Sequence, residues 1–201
     1  MAKELIVVLG GARSGKSAFA LKLAREAGGR VLHVATAWPG DEEMRWRVAR
    51  HRRARPQSWR LLEEPLAVAQ VLAALLDDAD IVLIDCLTIW VSNLLLSAVS
   101  EGAVRGQQEA EAAERVVDEA IGALLRCYRQ GKASFVIISN EVGMGLVPEH
   151  PLGRLFRDAL GRANQRLAGR ADKVYFLLAG MAVDVKALGV IPVGATESFE
   201  S

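Results

Sequence analysis

The chain has 201 residues, 51% of them hydrophobic, with 25 lysines and arginines against 24 acids and a formal charge of +1. That is enough apolar material for one sizeable core and excludes a disordered chain. No stretch reaches membrane length and the apolar run Leu5 to Leu9 is too short for a signal peptide, so a cytoplasmic protein with no membrane span is expected.

The first predicted strand, 4–9, runs into Gly10-Gly11-Ala12-Arg13-Ser14-Gly15-Lys16-Ser17, a complete GxxxxGK(S/T) phosphate loop, and then into a predicted helix over 16–27. Gly10, Gly11 and Gly15 let backbone N–H groups wrap phosphate oxygens, and the helix start aims its positive end at them. Lys16 is expected to reach the β- and γ-phosphates, and Ser17 to hold Mg²⁺. A chance glycine turn would not need strand, loop and helix in this order.

The second strand, 30–35, alternates His33 with Leu32 and Val34, the pattern of a core histidine. It leads to Ala35-Thr36-Ala37 and a predicted helix over 41–54. Seven arginines and no acid fall between Arg45 and Arg60, and helical spacing puts Arg47, His51 and Arg55 on one stripe. Two readings fit. A solvated or nucleic-acid-gripping basic helix needs the arginines but has no use for the histidine. In a catalytic reading the cations keep His51 neutral and nucleophilic and neutralise a triphosphate attacked at its α-phosphorus.

A helix is predicted over 65–77, with Glu63 just before it as a dipole-favoured carboxylate. The third strand, 81–85, ends in Asp85. This residue either stands beside the Mg²⁺ held by Ser17 or caps the helix predicted over 87–97. The helix over 107–130 is expected to bury Val116, Val117, Ala120, Ile121 and Leu124 and to stop at Gly131. After the strand 134–139, the run Asn140-Glu141-Val142-Gly143-Met144-Gly145 brings polar side chains to the same rim, where Glu141 either orients an acceptor hydroxyl, supports the metal or completes an ordinary turn. His150 precedes a helix over 152–169 with Arg154, Arg157 and Arg162, and a last strand covers 173–178. Cys86 and Cys127 lack CxxC spacing and read as reduced, buried thiols.

Strands alternating with helices predict an α/β fold: a single-domain P-loop nucleotide-binding unit over 1–188, its mostly parallel sheet covered by helices on both faces, with a loose tail over 189–201. Ligands in such sheets bind at the carboxyl ends of the strands.

The phosphate loop, Ala35 to Ala37, Asp41 to Met44, Arg47-Val48 with His51, Arg55-Pro56, Trp59, Asp85 to Thr88, Ser92 to Leu94, Asn140 to Pro148, Gly161-Arg162 and Asn164-Gln165, in that order over about 5 to 186, closely resemble the bifunctional adenosylcobinamide kinase/adenosylcobinamide-phosphate guanylyltransferase family. The resemblance implies phosphorylation of adenosylcobinamide from ATP or GTP. GMP then passes from GTP to the adenosylcobinamide phosphate through a guanylyl-histidine, giving adenosylcobinamide-GDP and pyrophosphate. It places the guanylylated histidine on His51, with Lys16 also catalytic. Nucleotide contacts fall on Gly10 to Ser17, on Ala35, Thr36 and Ala37, on Arg52, Arg53, Ala54 and Arg55, and on Glu63 and Asp85. It further implies a homotrimer and no nucleic-acid partner. The chain departs from the family at Gly180 to Lys186, where relatives carry a proline.

Two other classes remain as alternatives. A regulatory GTPase would carry an Asn-Lys-x-Asp guanine loop, which this chain lacks. A nucleic-acid-dependent ATPase using the arginine helix would bind with steep salt dependence.

Overall fold

The computed structural model describes residues 2–37, 56–99 and 104–190. Its core is a seven-stranded sheet of β1 (Leu5–Gly10), β2 (Val31–Ala35), β3 (Arg60–Glu63), β4 (Ile81–Asp85), β5 (Ser134–Ile138), β6 (Lys173–Leu178) and β7 (Met181–Asp184). The order across the sheet is β3-β2-β4-β5-β1-β6-β7. Every neighbouring pair is parallel except β6 with β7. The helices are α1 (Lys16–Ala27), α2 (Val68–Ala73), α3 (Leu87–Ala98), α4 (Gln107–Gln130) and α5 (Pro151–Arg170).

The central strands are apolar at nearly every position because both faces are covered. Alternate residues part to opposite sides. Leu5, Val7, Leu32, Val34, Val82, Ile84, Phe135 and Ile137 pack against α2 to α5, whereas Ile6, Val8, Ile81, Leu83 and Val136 face Ala20 and Ala24 of α1. The imbalance follows from connection handedness. The step from β1 to β2 moves toward the β3 edge, while those from β3 to β4, β4 to β5 and β5 to β6 move the other way. Right-handed crossovers in opposite directions put their helices on opposite faces, which leaves α1 alone on its side among the described helices.

Several expectations change. Two short edge strands, β3 and β7, carry no hydrophobic run and form only by pairing with β2 and β6. The predicted helix over 65–77 shrinks to Val68–Ala73 and a 3₁₀ turn at Leu76–Asp78, although the buried stripe of Val68, Ala69 and Leu72 continues at Leu76. Along α4, Val117, Ile121 and Leu124 are buried, but Val116 is exposed, one step off the stripe. The helix does stop at Gly131, whose N–H reaches the Cys127 carbonyl. The predicted helix over 41–54 lies outside the described residues, as do His51, Arg52, Arg53, Ala54 and Arg55.

Candidate active site

The parallel register lines up the carboxyl ends of the strands: Glu63 lies beside Ala35, Ala35 beside Asp85 and Asp85 beside Ile138. Gly10 ends β1 on the same edge, next to Leu177.

The phosphate loop is shaped by its glycines. Gly10 has φ +149°, and a Cβ there would sit 2.5 Å from the Leu177 carbonyl oxygen and 2.8 Å from Ser14 Oγ. Gly15, at φ +99°, precedes α1 without any side-chain cap, so the first N–H groups of that helix point at the loop. Lys16 is buried, and its ammonium donates to the Gly11 carbonyl at 2.5 Å and to Ser14 Oγ at 3.4 Å. It is folded back over the hollow it encircles, on acceptors that phosphate oxygens can replace. Half-exposed Ser17 follows it in the first turn. The turn after β6 buttresses the loop, where Gly180 N–H donates to the Ser14 carbonyl at 3.1 Å. Gly10→Ala is expected to cost about 3 kcal/mol of stability. For a chain this size that lowers the melting temperature by about 10 °C; an unchanged thermal melt would contradict the close packing at Leu177.

Asp85 reaches the same edge. Burial lowers the pKa of Lys16 below its usual value, against the opposing pull of Cys86 and Asp85, so the carboxylate acts directly on the loop lysine. Asp85 does not cap α3: the N-cap residue is Cys86, and no side chain caps that end. Desolvation first, and then the Asp85 charge, push the Cys86 thiol up to about 11, keeping it protonated and inert as expected. Among the described residues no cluster of three or more His, Cys, Asp or Glu could cage a metal. Ser17, in the first turn of α1, and Asp85, at the end of β4, are oxygen donors of the kind that suits Mg²⁺.

The strand ends are tied together by residues to which sequence reasoning gave no such role. Fully buried Thr36 accepts through Oγ1 from Cys86 N–H at 3.0 Å, donates from it to the Cys86 carbonyl at 2.8 Å, and its own N–H reaches the Asp85 carbonyl at 3.2 Å. Asn93 then donates to the carbonyls of Thr36 and Pro65 at 2.8 and 3.1 Å. Buried Ser139 donates to Asn164 Oδ1 at 2.7 Å, and Asn164 Nδ2 donates to the Asn140 carbonyl at 3.1 Å. The available signal was an asparagine within an otherwise apolar helical stripe, at 93 and again at 164.

Not all candidates converge. Glu63 is exposed at the end of β3; the helix-start role belongs to Glu64, whose Oε1 accepts from the N–H groups of Leu66 and Ala67. His33 is buried in β2, its Nε2 3.9 Å from Asp85 Oδ2. His150 is exposed at the start of α5. Beside the phosphate loop, an open cleft of about 490 Å³ is lined by Leu9, Glu141, Gly143, Arg157, Arg162 and Gln165, among others. A second groove, of about 760 Å³, is lined only by residues from Arg105 to Glu111 near the start of α4 and contains no part of the loop.

A family model described as cobinamide kinase / cobinamide phosphate guanyltransferase matches residues 6–185. The chain is 41% identical over 180 residues to the bifunctional adenosylcobalamin biosynthesis protein CobP of Pseudomonas aeruginosa, covering 90% of this chain and 96% of that one. It is 41% identical over 182 residues to the bifunctional adenosylcobalamin biosynthesis protein CobU of Salmonella typhimurium, covering 90% and 99%. Among solved structures, an ATPase from the type III secretion system of pathogenic bacteria matches with a TM-score of 0.54 at 13% identity, over 94% of this chain and 58% of the ATPase, a likeness of fold alone.

Proposed function

Because the chain belongs to the cobinamide kinase / cobinamide phosphate guanyltransferase family, we propose that it phosphorylates the aminopropanol hydroxyl of adenosylcobinamide from ATP or GTP and then transfers GMP from GTP to that phosphate, yielding adenosylcobinamide-GDP for cobalamin biosynthesis. The observation that carries this reading is the family match over 6–185 joined to a formed phosphate loop on the sheet edge that also bears Asp85 and the Asn140 to Gly145 turn.

In this reading the N–H groups from Gly10 to Ser17 and the Lys16 ammonium hold the triphosphate, and Ala35, Thr36 and Ala37 wall it at the end of β2. Glu63 contacts the guanine or ribose. Ser17 and Asp85 would hold Mg²⁺, which when bound would neutralise charge on the transferred phosphoryl group. His51, aided by Arg52, Arg53 and Arg55, attacks the α-phosphorus of GTP and carries GMP as a phosphoramidate, dividing one hard transfer into two easier ones. The active assembly is a homotrimer in the cytoplasm. Among the described residues no helix is long and apolar enough to cross a membrane.

The test is direct. With ATP and adenosylcobinamide the purified protein should form adenosylcobinamide phosphate, and adding GTP should convert this to adenosylcobinamide-GDP with release of pyrophosphate, both followed by mass spectrometry. GTP hydrolysis to GDP with the corrinoid unmodified is what a regulatory GTPase would give, and it would overturn the proposal.

A further inference from the structure

The phosphate loop and Asp85 account for the nucleotide, but neither supplies a group to take the proton from an attacking alcohol. Lys16 is a cation engaged with the loop, and Asp85 is committed to the metal side. A third charged group meets the loop on the chain that leaves β5, which lies between β4 and β1. Ser139 N–H donates to the Val8 carbonyl at 2.9 Å and Glu141 N–H to the Gly10 carbonyl at 3.1 Å, so the chain leaving β5 runs alongside β1 into the first residue of the phosphate loop.

That position is rigidly held. Asn140 N–H donates to Thr88 Oγ1 at 2.8 Å, and the buried Ser139–Asn164 pair fastens the Asn140 carbonyl from beneath. Both amide ends of Asn164 are used, and shifting the turn would leave buried polar atoms unsatisfied. The Glu141 side chain is set in turn by Gly143, whose N–H donates to Oε1 at 2.5 Å.

The Glu141 carboxylate lines the cleft of about 490 Å³ between this turn and α5. The cleft has room: a Cβ on Gly161 would meet nothing within 4 Å. Its charge is already balanced, because Arg157 Nε lies 3.1 Å from Asp158 Oδ1 and Arg162 Nη2 lies 2.6 Å from Glu114 Oε1. Paired guanidiniums beside the exposed Gln165 amide suit an uncharged molecule rich in hydroxyl and amide groups better than a second polyphosphate.

We propose that Glu141 is the proton acceptor of the phosphoryl-transfer step and that this cleft holds the hydroxyl-bearing arm of the acceptor. This rests on the kinase activity proposed above. The alcohol oxygen forms a bond to the γ-phosphorus while the bond from that phosphorus to the β–γ bridging oxygen breaks, its electron pair leaving with the nucleoside diphosphate. The hydroxyl proton passes to the Glu141 carboxylate and from there to water. General-base assistance of this kind is worth roughly 10²- to 10⁴-fold.

Glu141→Gln keeps the carbonyl that accepts from Gly143 N–H but cannot take a proton. It should lower kcat for adenosylcobinamide phosphorylation at least about a hundred-fold, leaving the KM for the acceptor, the dissociation constant for ATP and the melting temperature near those of the wild type. Phosphorylation within about three-fold of wild type, or a loss traced to weaker ATP binding or a lower melting temperature, would overturn the inference and leave Glu141 as a turn-forming residue. Wild-type protein unable to phosphorylate adenosylcobinamide at all would instead overturn the functional reading beneath it.

Discussion

Lys16→Ala is expected to lower both phosphorylation of adenosylcobinamide and guanylyl transfer by at least about 10²- to 10³-fold, the usual cost of removing a preorganised charge from developing phosphoryl charge. One substitution should strike both reactions because the structure has a single phosphate loop among its described residues, and Lys16 is its only ammonium. The side chain is buried, anchored on the Gly11 carbonyl, and partly stripped of water, which lowers its pKa. A cation already partly desolvated within the loop gives up little further hydration when a triphosphate arrives, and it interacts more strongly there than a solvated lysine would. Steady-state rates for the two half-reactions, measured separately, provide the check. If the variant retains guanylyl transfer while losing phosphorylation, the two reactions do not share this loop.

His51→Asn should separate what Lys16→Ala removes together. With GTP labelled at the α-phosphate the wild-type protein should acquire an acid-labile label, and with γ-labelled GTP it should not. The asparagine variant should take up no label and form no adenosylcobinamide-GDP, yet still phosphorylate adenosylcobinamide. His51 lies outside the described residues. The sequence leads one to expect a helix with Arg47 and Arg55 on the same stripe as His51, where neighbouring cations would disfavour the imidazolium form. A phosphoramidate is reactive enough to pass GMP onward. Normal labelling of the variant would remove His51 from the mechanism. Loss of both activities would make it a structural or general binding residue.

The elements legible in advance were those whose signal is local. Leu5 to Leu9 followed by three glycines, Lys16 and Ser17 specifies a strand, a tight anion-binding turn and a helix start within thirteen residues, and the structure has all three in place. Asp85 was legible for the same reason, as the first carboxylate after an apolar strand. Glu63 shows where local reading strays. A glutamate before Pro65 resembles a helix-start carboxylate, but pairing with β2 draws Arg60 to Glu63 into a strand and passes the capping role to Glu64. Val116 failed because it lies off the stripe of Val117, Ile121 and Leu124, and only packing against the sheet fixes where the edge of that stripe falls.

By itself the sequence determined the family, through motifs in order along most of the chain, and also the phosphate loop, the alternation of strands and helices and the carboxylate at the end of β4, each of which depends on residues within one turn or strand of one another. The tertiary structure alone decided the strand order, the edge strands β3 and β7, and the set of groups around the loop. Thr36 is bound to Cys86, 50 positions away; Glu141 is joined to Gly10, and Gly180 to Ser14, across still longer stretches of chain. Contacts of that range have no period or spacing in the sequence, because they exist only after long loops have been closed and buried polar groups must find partners wherever the fold has brought them.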